Sequence, residues 1–132
     1  MTKRVLLAEW LCFGLLSGCL LYHRPLVNPQ VSIPAEASQD KVQRSIRKAF
    51  DQYGWTVDKE EPGVTTAHLQ QNKLYASVRV DYDQKQATIN YVETKNFWHE
   101  KSGGEERIHS RYLVWVRNIA ESLSEQLNPV HH

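Results

Sequence analysis

Histidine and glutamate side chains are the groups in this sequence best suited to bind a metal ion. Imidazole and carboxylate ligands suit zinc, and a zinc ion held by them activates water for hydrolysis. The candidates are His68, His99 and His109 with Glu100, Glu105 and Glu106. Their spacing contains neither a His-Glu-x-x-His helix motif nor a pair of cysteines, which common zinc sites use. We therefore expect these residues to be solvated, with no metal and no cofactor bound.

Nucleophilic catalysis is the second chemistry to consider. A serine, threonine or cysteine nucleophile needs a neighbouring base and an oxyanion hole. The sequence has no Gly-x-Ser-x-Gly segment that would mark one. Asp81 and Asp83 share one face of a predicted strand, but carboxylates beside a turn are ordinarily solvated. We expect a protein that is not an enzyme; the alternative is a hydrolase or metal-dependent enzyme that uses His99, His109 and nearby glutamates.

The N-terminal segment has the composition of a secretion leader. Lys3 and Arg4 precede a mostly apolar run over residues 5–16, too short to cross a hydrocarbon core of roughly 30 Å as a helix. A positive start followed by such a run is typical of a signal peptide. The run ends in Leu16-Ser17-Gly18-Cys19, which resembles the lipobox of bacterial lipoproteins. The resemblance implies cleavage before Cys19 and attachment of fatty acids such as palmitate to that cysteine.

The residue that follows Cys19 predicts the membrane to which the protein is attached. In lipoproteins of this type an Asp after the cysteine favours the inner membrane, whereas this chain has Leu20. The resemblance thus implies a lipid anchor in the outer membrane, facing the periplasm, in an organism with two membranes. The alternative, an uncleaved spanning helix, is disfavoured by Glu9, because a charge inside such a helix costs about 2 to 3 kcal/mol. Cys12 would leave with the leader, so Cys19 has no disulfide partner.

Composition indicates one folded domain without affinity for nucleic acid. Of the 132 residues, 41% are apolar and 23% charged, which is enough to bury a core. The net charge is +1 and would fall to zero once the leader is removed, so the phosphate-neutralising charge of a nucleic-acid binder is missing. The predicted division is a signal peptide over 1–18, a lipidated tether over 19–37, a domain over 38–128 and a tail over 129–132.

Two helices are predicted, one at each end of this domain. Ser38 is a suitable N-cap for a helix over 39–53, and Gly54 is a suitable residue just beyond its C-terminus. The second helix, over 108–127, has apolar residues at helical spacing and stops before Pro129. The tether, by contrast, contains Pro25, Pro29 and Pro34 and shows no periodicity, which predicts an extended spacer.

Between the helices, alternating apolar residues predict strands joined by short turns. The clearest strand is 74–82, in which Val78 and Val80 share a face opposite Arg79 and Asp81. Further strands are predicted over 55–57, 64–70 and 87–92, and residues 95–107 are predicted to form a loop. We expect an α+β fold of two layers: an antiparallel meander sheet of three to four strands with both helices packed on one face.

The succession of motifs resembles a group of small bacterial envelope lipoproteins without an assigned function. The motifs are Gly54-Trp55, Pro62-Gly63, Ala67-x-Leu69, Val78-x-Val80-x-Tyr82-Asp83, Ile89-x-Tyr91, Asn96-Phe97, Ile108 and Tyr112-x-x-Trp115. The resemblance covers residues 38–123 and implies an α-β-β-β-α domain with a binding role and no catalytic residue. This chain departs from the group at His99, where an aromatic residue is expected, and at Leu113, where Asn is expected.

The function expected from these features is a non-catalytic binding or assembly module, anchored to the membrane through Cys19. Its partner would be an envelope protein or peptidoglycan, bound through the 95–107 loop or the open face of the sheet. The alternative to such a module is a purely structural lipoprotein. The candidate contact residues are Tyr75, Arg79, Asn96, Trp98, His99 and Arg107.

Overall fold

The computed structural model describes residues 23–97, 99–102 and 105–128, with backbone only for residues 23 and 99–106. It confirms the α+β class. Two helices and eight strands follow one another within this part of the chain: β1 (His23–Pro25), β2 (Gln30–Ser32), α1 (Gln39–Gln52), β3 (Thr56–Glu61), β4 (Val64–Gln71), β5 (Leu74–Tyr82), β6 (Gln86–Lys95), β7 (His99–Ser102), β8 (Glu105–His109) and α2 (Ser110–Leu127).

The larger sheet has five antiparallel strands in the order β2-β6-β5-β4-β3. Strands β3 to β6 form the expected meander, but the prediction of three to four strands is wrong. The additional strand, β2, lies inside the segment predicted as a spacer and pairs with the start of β6. Its cause is the apolar pair Val31 and Ile33, which are only 4% and 7% exposed, so that burial holds this segment on the sheet.

A second, three-stranded sheet has the order β1-β8-β7. It replaces most of the loop predicted over 95–107, and β8 takes the first two residues of the helix predicted over 108–127. Ile108 is fully buried in β8, opposite Arg24 of β1. A buried apolar residue fits the end of a strand as well as the first turn of a helix, so the apolar spacing could not distinguish the two.

Helix α1 begins and ends close to the predicted positions. The Ser38 hydroxyl accepts a hydrogen bond from the Lys41 amide at 3.1 Å, which caps the first turn. Beyond the last turn, Gly54 has φ +81°, a left-handed conformation that a side chain would strain. Helix α2 begins at Ser110, where the His109 ring nitrogen Nδ1 accepts a hydrogen bond from the Arg111 amide at 3.1 Å.

The core contains residues of both helices and of the larger sheet. Helix α1 contacts β3 and β4, α2 contacts β2 and β8, and the two helices contact each other. Alternate residues of β4, β5 and β6 are buried in the same apolar cluster as residues of both helices, and Tyr112 and Phe50 are the largest fully buried side chains. Within the described part of the chain, no helix is long and apolar enough to cross a membrane.

Candidate binding surfaces

Several residues predicted to carry function lie outside the described residues or are described by backbone alone. Cys19 and Trp98 belong to the first group. His99 belongs to the second: it lies in β7, where it pairs with Ile108. Among the side chains that the structure does describe, no three histidine, cysteine or acidic groups converge as metal ligands would.

Two of the predicted contact residues, Tyr75 and Arg79, lie on β5 among the polar side chains that face away from the core, which we call the open face. The Arg79 guanidinium donates a hydrogen bond from Nε to Asp81 at 2.9 Å. The Asn90 amide, from the neighbouring strand β6, donates to the same Asp81 oxygen at 2.6 Å. These three groups therefore satisfy one another across two strands.

A second polar group on the open face is built around His68. Its Nδ1 lies 2.8 and 2.9 Å from the two carboxylate oxygens of Asp58, and its ring stacks on Tyr75 with centroids 5.7 Å apart. The Lys95 ammonium lies 4.9 Å from the Tyr75 ring centroid, a cation–π contact. Asp58 was not singled out in the sequence; it sits at a β-bulge between Val57 and Lys59 that alternation does not signal.

The His68–Asp58 pair invites comparison with a hydrolase triad. Ser77 is the cross-strand partner of His68 in the register of β4 and β5. In the structure, however, no hydrogen bond joins Ser77 to His68, and the imidazole stacks on Tyr75 instead. A triad needs its nucleophile in hydrogen-bond reach of the base and amide donors for the oxyanion. The described arrangement orients an imidazole and a carboxylate without supplying the rest of that machinery.

Asn96 and Phe97 link the larger sheet to the start of α2. Asn96 adopts φ +67°, and its side-chain amide donates a hydrogen bond to the Lys73 carbonyl oxygen at 2.5 Å. Phe97 packs edge-on against Trp115, with ring centroids 5.1 Å apart. A cavity of about 160 Å³ lies beside them, lined by Leu74, Asn96, Phe97, His109 and Arg111. Asn96 and Phe97 thus both make contacts within the protein. The remaining predicted contact residue, Arg107, is half-buried in β8, opposite Pro25.

A larger open groove lies between the segment joining β1 to β2 and the first half of α2. Its volume is about 560 Å³, and its walls are apolar apart from two arginines and a serine. Val27 and Val114 at this groove are 57% and 40% exposed, and so are among the exposed large apolar side chains of the described residues. The lining residues are Arg24, Val27, Pro29, Ser110, Leu113, Val114, Val116 and Arg117.

The two charged side chains that line the groove are both arginines. Arg24 and Arg117 are both exposed, and no carboxylate of the described side chains forms an ion pair with either of them. The first turn of α2, which lines the groove, contains no acidic residue. The N-terminal end of a helix carries a partial positive charge from its aligned peptide dipoles. The groove therefore offers an apolar floor beside cations that have no acidic partner there.

Sequence reasoning did not find this groove. Val114 and Arg117 fall outside the apolar stripe of α2 and read as solvent-facing, while Arg24 and Val27 fell within the predicted spacer. The available signal was an apolar residue on the outer side of the last helix together with apolar residues in the proline-containing segment. Neither feature shows by itself that the two segments meet.

Comparison with known protein families gave no matching family, and comparison with curated proteins gave no relative.

Proposed function

We propose that this protein is a lipoprotein of the cell envelope that acts as a non-catalytic binding or assembly module. In this proposal the lipid on Cys19 holds it to the outer membrane, facing the periplasm. The binding site is the groove between the β1–β2 connection and α2. The observation that carries the proposal is the combination there of two exposed valines with two arginines that form no ion pair with a described side chain.

The contrast with the open face supports this choice of site. Arg79 and His68 on that face each contact a carboxylate, and Asn96 donates to a backbone carbonyl. Breaking such contacts to bind a partner costs part of the energy that the new contacts would supply. At the groove, Arg24 and Arg117 have no ion pair to break among the described side chains.

The position of β1 close to Cys19 in the sequence supports attachment near the membrane. Strand β1 starts at His23, four residues after Cys19, and pairs with β8. Four extended residues reach at most about 14 Å. A lipid on Cys19 would thus hold β1 within this distance of the bilayer, rather than at the end of the long spacer expected from the prolines.

The proposal includes an arrangement of the layers in which both helices cover the same face of the five-stranded sheet. Its support is that residues of α1, α2 and the inward face of β4 to β6 belong to a single apolar cluster. The open face is then free of helices, as alternation in the strands predicts.

Site-specific cross-linking in intact cells tests the binding role. A photo-reactive amino acid in place of Val114 should capture an envelope component, whether protein, peptidoglycan or lipid. The same amino acid in place of Glu61, on the far edge strand β3, is the matched control. Equal capture at the two positions, or none at Val114, would contradict a binding site in the groove.

Mass spectrometry of the membrane-extracted protein tests the anchor separately. The expected chain begins at an acylated Cys19. An intact N-terminus with an unmodified Cys19 thiol would rule out the lipoprotein assignment.

A further inference from the structure

The ligand of the groove can be specified from the position of its arginines relative to the anchor. We propose that the groove rests on the membrane surface itself, where Arg24 and Arg117 bind the phosphate groups of anionic phospholipids and Val27 and Val114 enter the interfacial layer. This inference rests on the proposed function, because it takes Cys19 to be lipidated. It adds the partner of the groove and the orientation of the domain on the bilayer.

The length of chain between anchor and groove is the first argument. Arg24 follows Cys19 by five residues, so that even a fully extended chain separates them by at most about 18 Å. Val27, also in the groove, is only three residues further along. A protein held this close to a bilayer must face it with the surface near its attachment point, and the groove is part of that surface.

Charge is the second argument. Anionic lipid headgroups attract arginine and lysine side chains that come within a Debye length, which is about 8 Å at physiological ionic strength. Arg24 and Arg117 come from opposite walls of the groove and form no ion pair with any carboxylate among the described side chains. The N-terminal end of α2, which also lines the groove, adds positive potential. Phosphate groups therefore complement this surface.

The exposed valines are the third argument. Val27 is 57% and Val114 40% exposed. Both side chains stay exposed although other apolar residues line the same groove. Surfaces that lie in a membrane interface combine apolar side chains, buried to the headgroup boundary, with cations that contact the phosphates. The groove has this combination within one site. Strand β3, at the other edge of the sheet, lies four strand spacings from β2, about 19 Å away, and therefore supplies a control position.

Fluorescence quenching on vesicles tests the orientation. The full acylated chain, with Val114→Cys labelled by a fluorophore, is reconstituted into vesicles of phosphatidylglycerol and phosphatidylethanolamine that contain a headgroup-level nitroxide lipid. The acylated Cys19 leaves the introduced thiol as the reactive one. Glu61→Cys is the control position, and it costs one exposed ion pair with Lys59. The label at position 114 should be quenched strongly and the label at position 61 weakly.

Charge reversal identifies the contribution of the arginines. The variant Arg24→Glu/Arg117→Glu should lower the fraction of molecules with a quenched label at position 114 by about tenfold, since each basic residue near an anionic surface contributes to the attraction. The matched control Arg44→Glu/Lys48→Glu changes the same charge on the exposed side of α1, outside the groove. It should have a much smaller effect. Circular dichroism of both variants reports whether the fold is retained.

The possible outcomes distinguish failure of the membrane contact from failure of the proposed lipoprotein function. A chain acylated at Cys19 and bound to vesicles, but with equal quenching at positions 114 and 61, overturns the membrane contact and leaves the tethered binding role standing. Protection of position 114 from both lipid and aqueous quenchers would show a protein segment in the groove, and it likewise overturns the membrane assignment. Absence of a lipid on Cys19 overturns the proposed function and this inference together.

Discussion

The open face of the five-stranded sheet and the groove beside α2 are both exposed, but they differ in how their polar groups are satisfied. On the open face, Arg79, Asp81 and Asn90 bond to one another, and His68 bonds to Asp58. At the groove, Arg24 and Arg117 make no ion pair with a described side chain. The groove also exposes apolar surface, whereas the central strands of the open face present mainly polar groups.

This difference determines how many intramolecular contacts a partner would have to displace at each surface. The open face carries the residues that look most like a site in the sequence, including His68, Tyr75 and Arg79. His68 bonds to Asp58 and stacks on Tyr75, and Arg79 bonds to Asp81, so these side chains are already engaged within the protein. The groove has fewer such residues, but an anionic partner would have less to displace there.

The largest expected effect concerns β6 and tests whether one face of this strand is buried and the other exposed. Ile89→Ala, at a fully buried position of β6, should lower the free energy of unfolding by about 2 to 5 kcal/mol, because it leaves a cavity. Val92→Ala on the same strand, at a position 51% exposed, should change it by less than about 0.5 kcal/mol. Urea denaturation measures both; similar losses would show that the strand does not have one buried face.

The groove offers a matched pair on one helix. Val116→Ala removes a side chain that is 1% exposed and should cost about 2 kcal/mol. Val114→Ala, two residues earlier and 40% exposed, should leave stability nearly unchanged. A large loss for Val114→Ala in thermal or urea unfolding would show that this side chain supports the fold and would weaken its assignment to binding.

Beneath the open face, Thr65 is fully buried, and its hydroxyl has no hydrogen-bond partner in the described part of the structure. Thr65→Val keeps the shape and removes the unsatisfied group, so it should raise the free energy of unfolding by about 1 kcal/mol. Thr66→Val, at the half-buried neighbouring position, is the control and should gain less. Destabilisation by Thr65→Val would show that the hydroxyl has a partner.

The pairing on the open face can be measured directly. A double-mutant cycle with Arg79→Ala and Asp81→Ala should give a coupling energy of about 0.2 to 1 kcal/mol, as is usual for exposed ion pairs. Arg24→Ala and Arg117→Ala should each change the free energy of unfolding by less than about 0.5 kcal/mol, because neither arginine forms an ion pair with a described side chain. A loss above about 1 kcal/mol for either variant, measured by urea denaturation at low salt, would remove the contrast between the two surfaces.

The smallest effect concerns the turn between β5 and β6. Backbone hydrogen bonds from Lys85 and Gln86, 2.7 and 2.9 Å long, hold the pKa of the exposed Asp83 carboxyl below its ordinary value. The carboxylate therefore contributes stability that is fully present above the unfolded pKa of about 3.9 and is lost as the pH falls through the lower folded pKa. Asp83→Asn should reduce this acid dependence. Unchanged pH profiles of thermal unfolding would contradict it.

The parts of the fold that the sequence predicted were those with strong local signals. Ser38 and Gly54 marked the two ends of α1, and alternation identified β5 across its full length. The short strands, of three to five residues, were missed because so few residues show no clear periodicity. Val31 is buried only because β2 pairs with the distant β6, which is a long-range contact without a local signature.

The candidate site was less predictable than the fold. Arg24 and Val27 meet Val114 and Arg117 only because β1 pairs with β8 and thereby places the β1–β2 connection beside α2. Nothing in the spacing of these residues along the chain indicates that they meet. The predicted residues Tyr75, Arg79 and Asn96 were chosen for their chemical type, which does not show whether a side chain is already bonded within the protein.

Strand β1 also determines how mechanical load would enter the domain. A force applied at Cys19 would reach the described residues at His23 and act there on the three residue pairs that join β1 to β8. The five-stranded sheet lies further along the chain, beginning at Gln30, and is loaded only after β1 has separated. Release of residues 23–29 would free a segment whose full extended length is about 25 Å, while leaving the main sheet intact. In the proposed lipoprotein, the small sheet would thus act as an extensible link between the lipid and the domain.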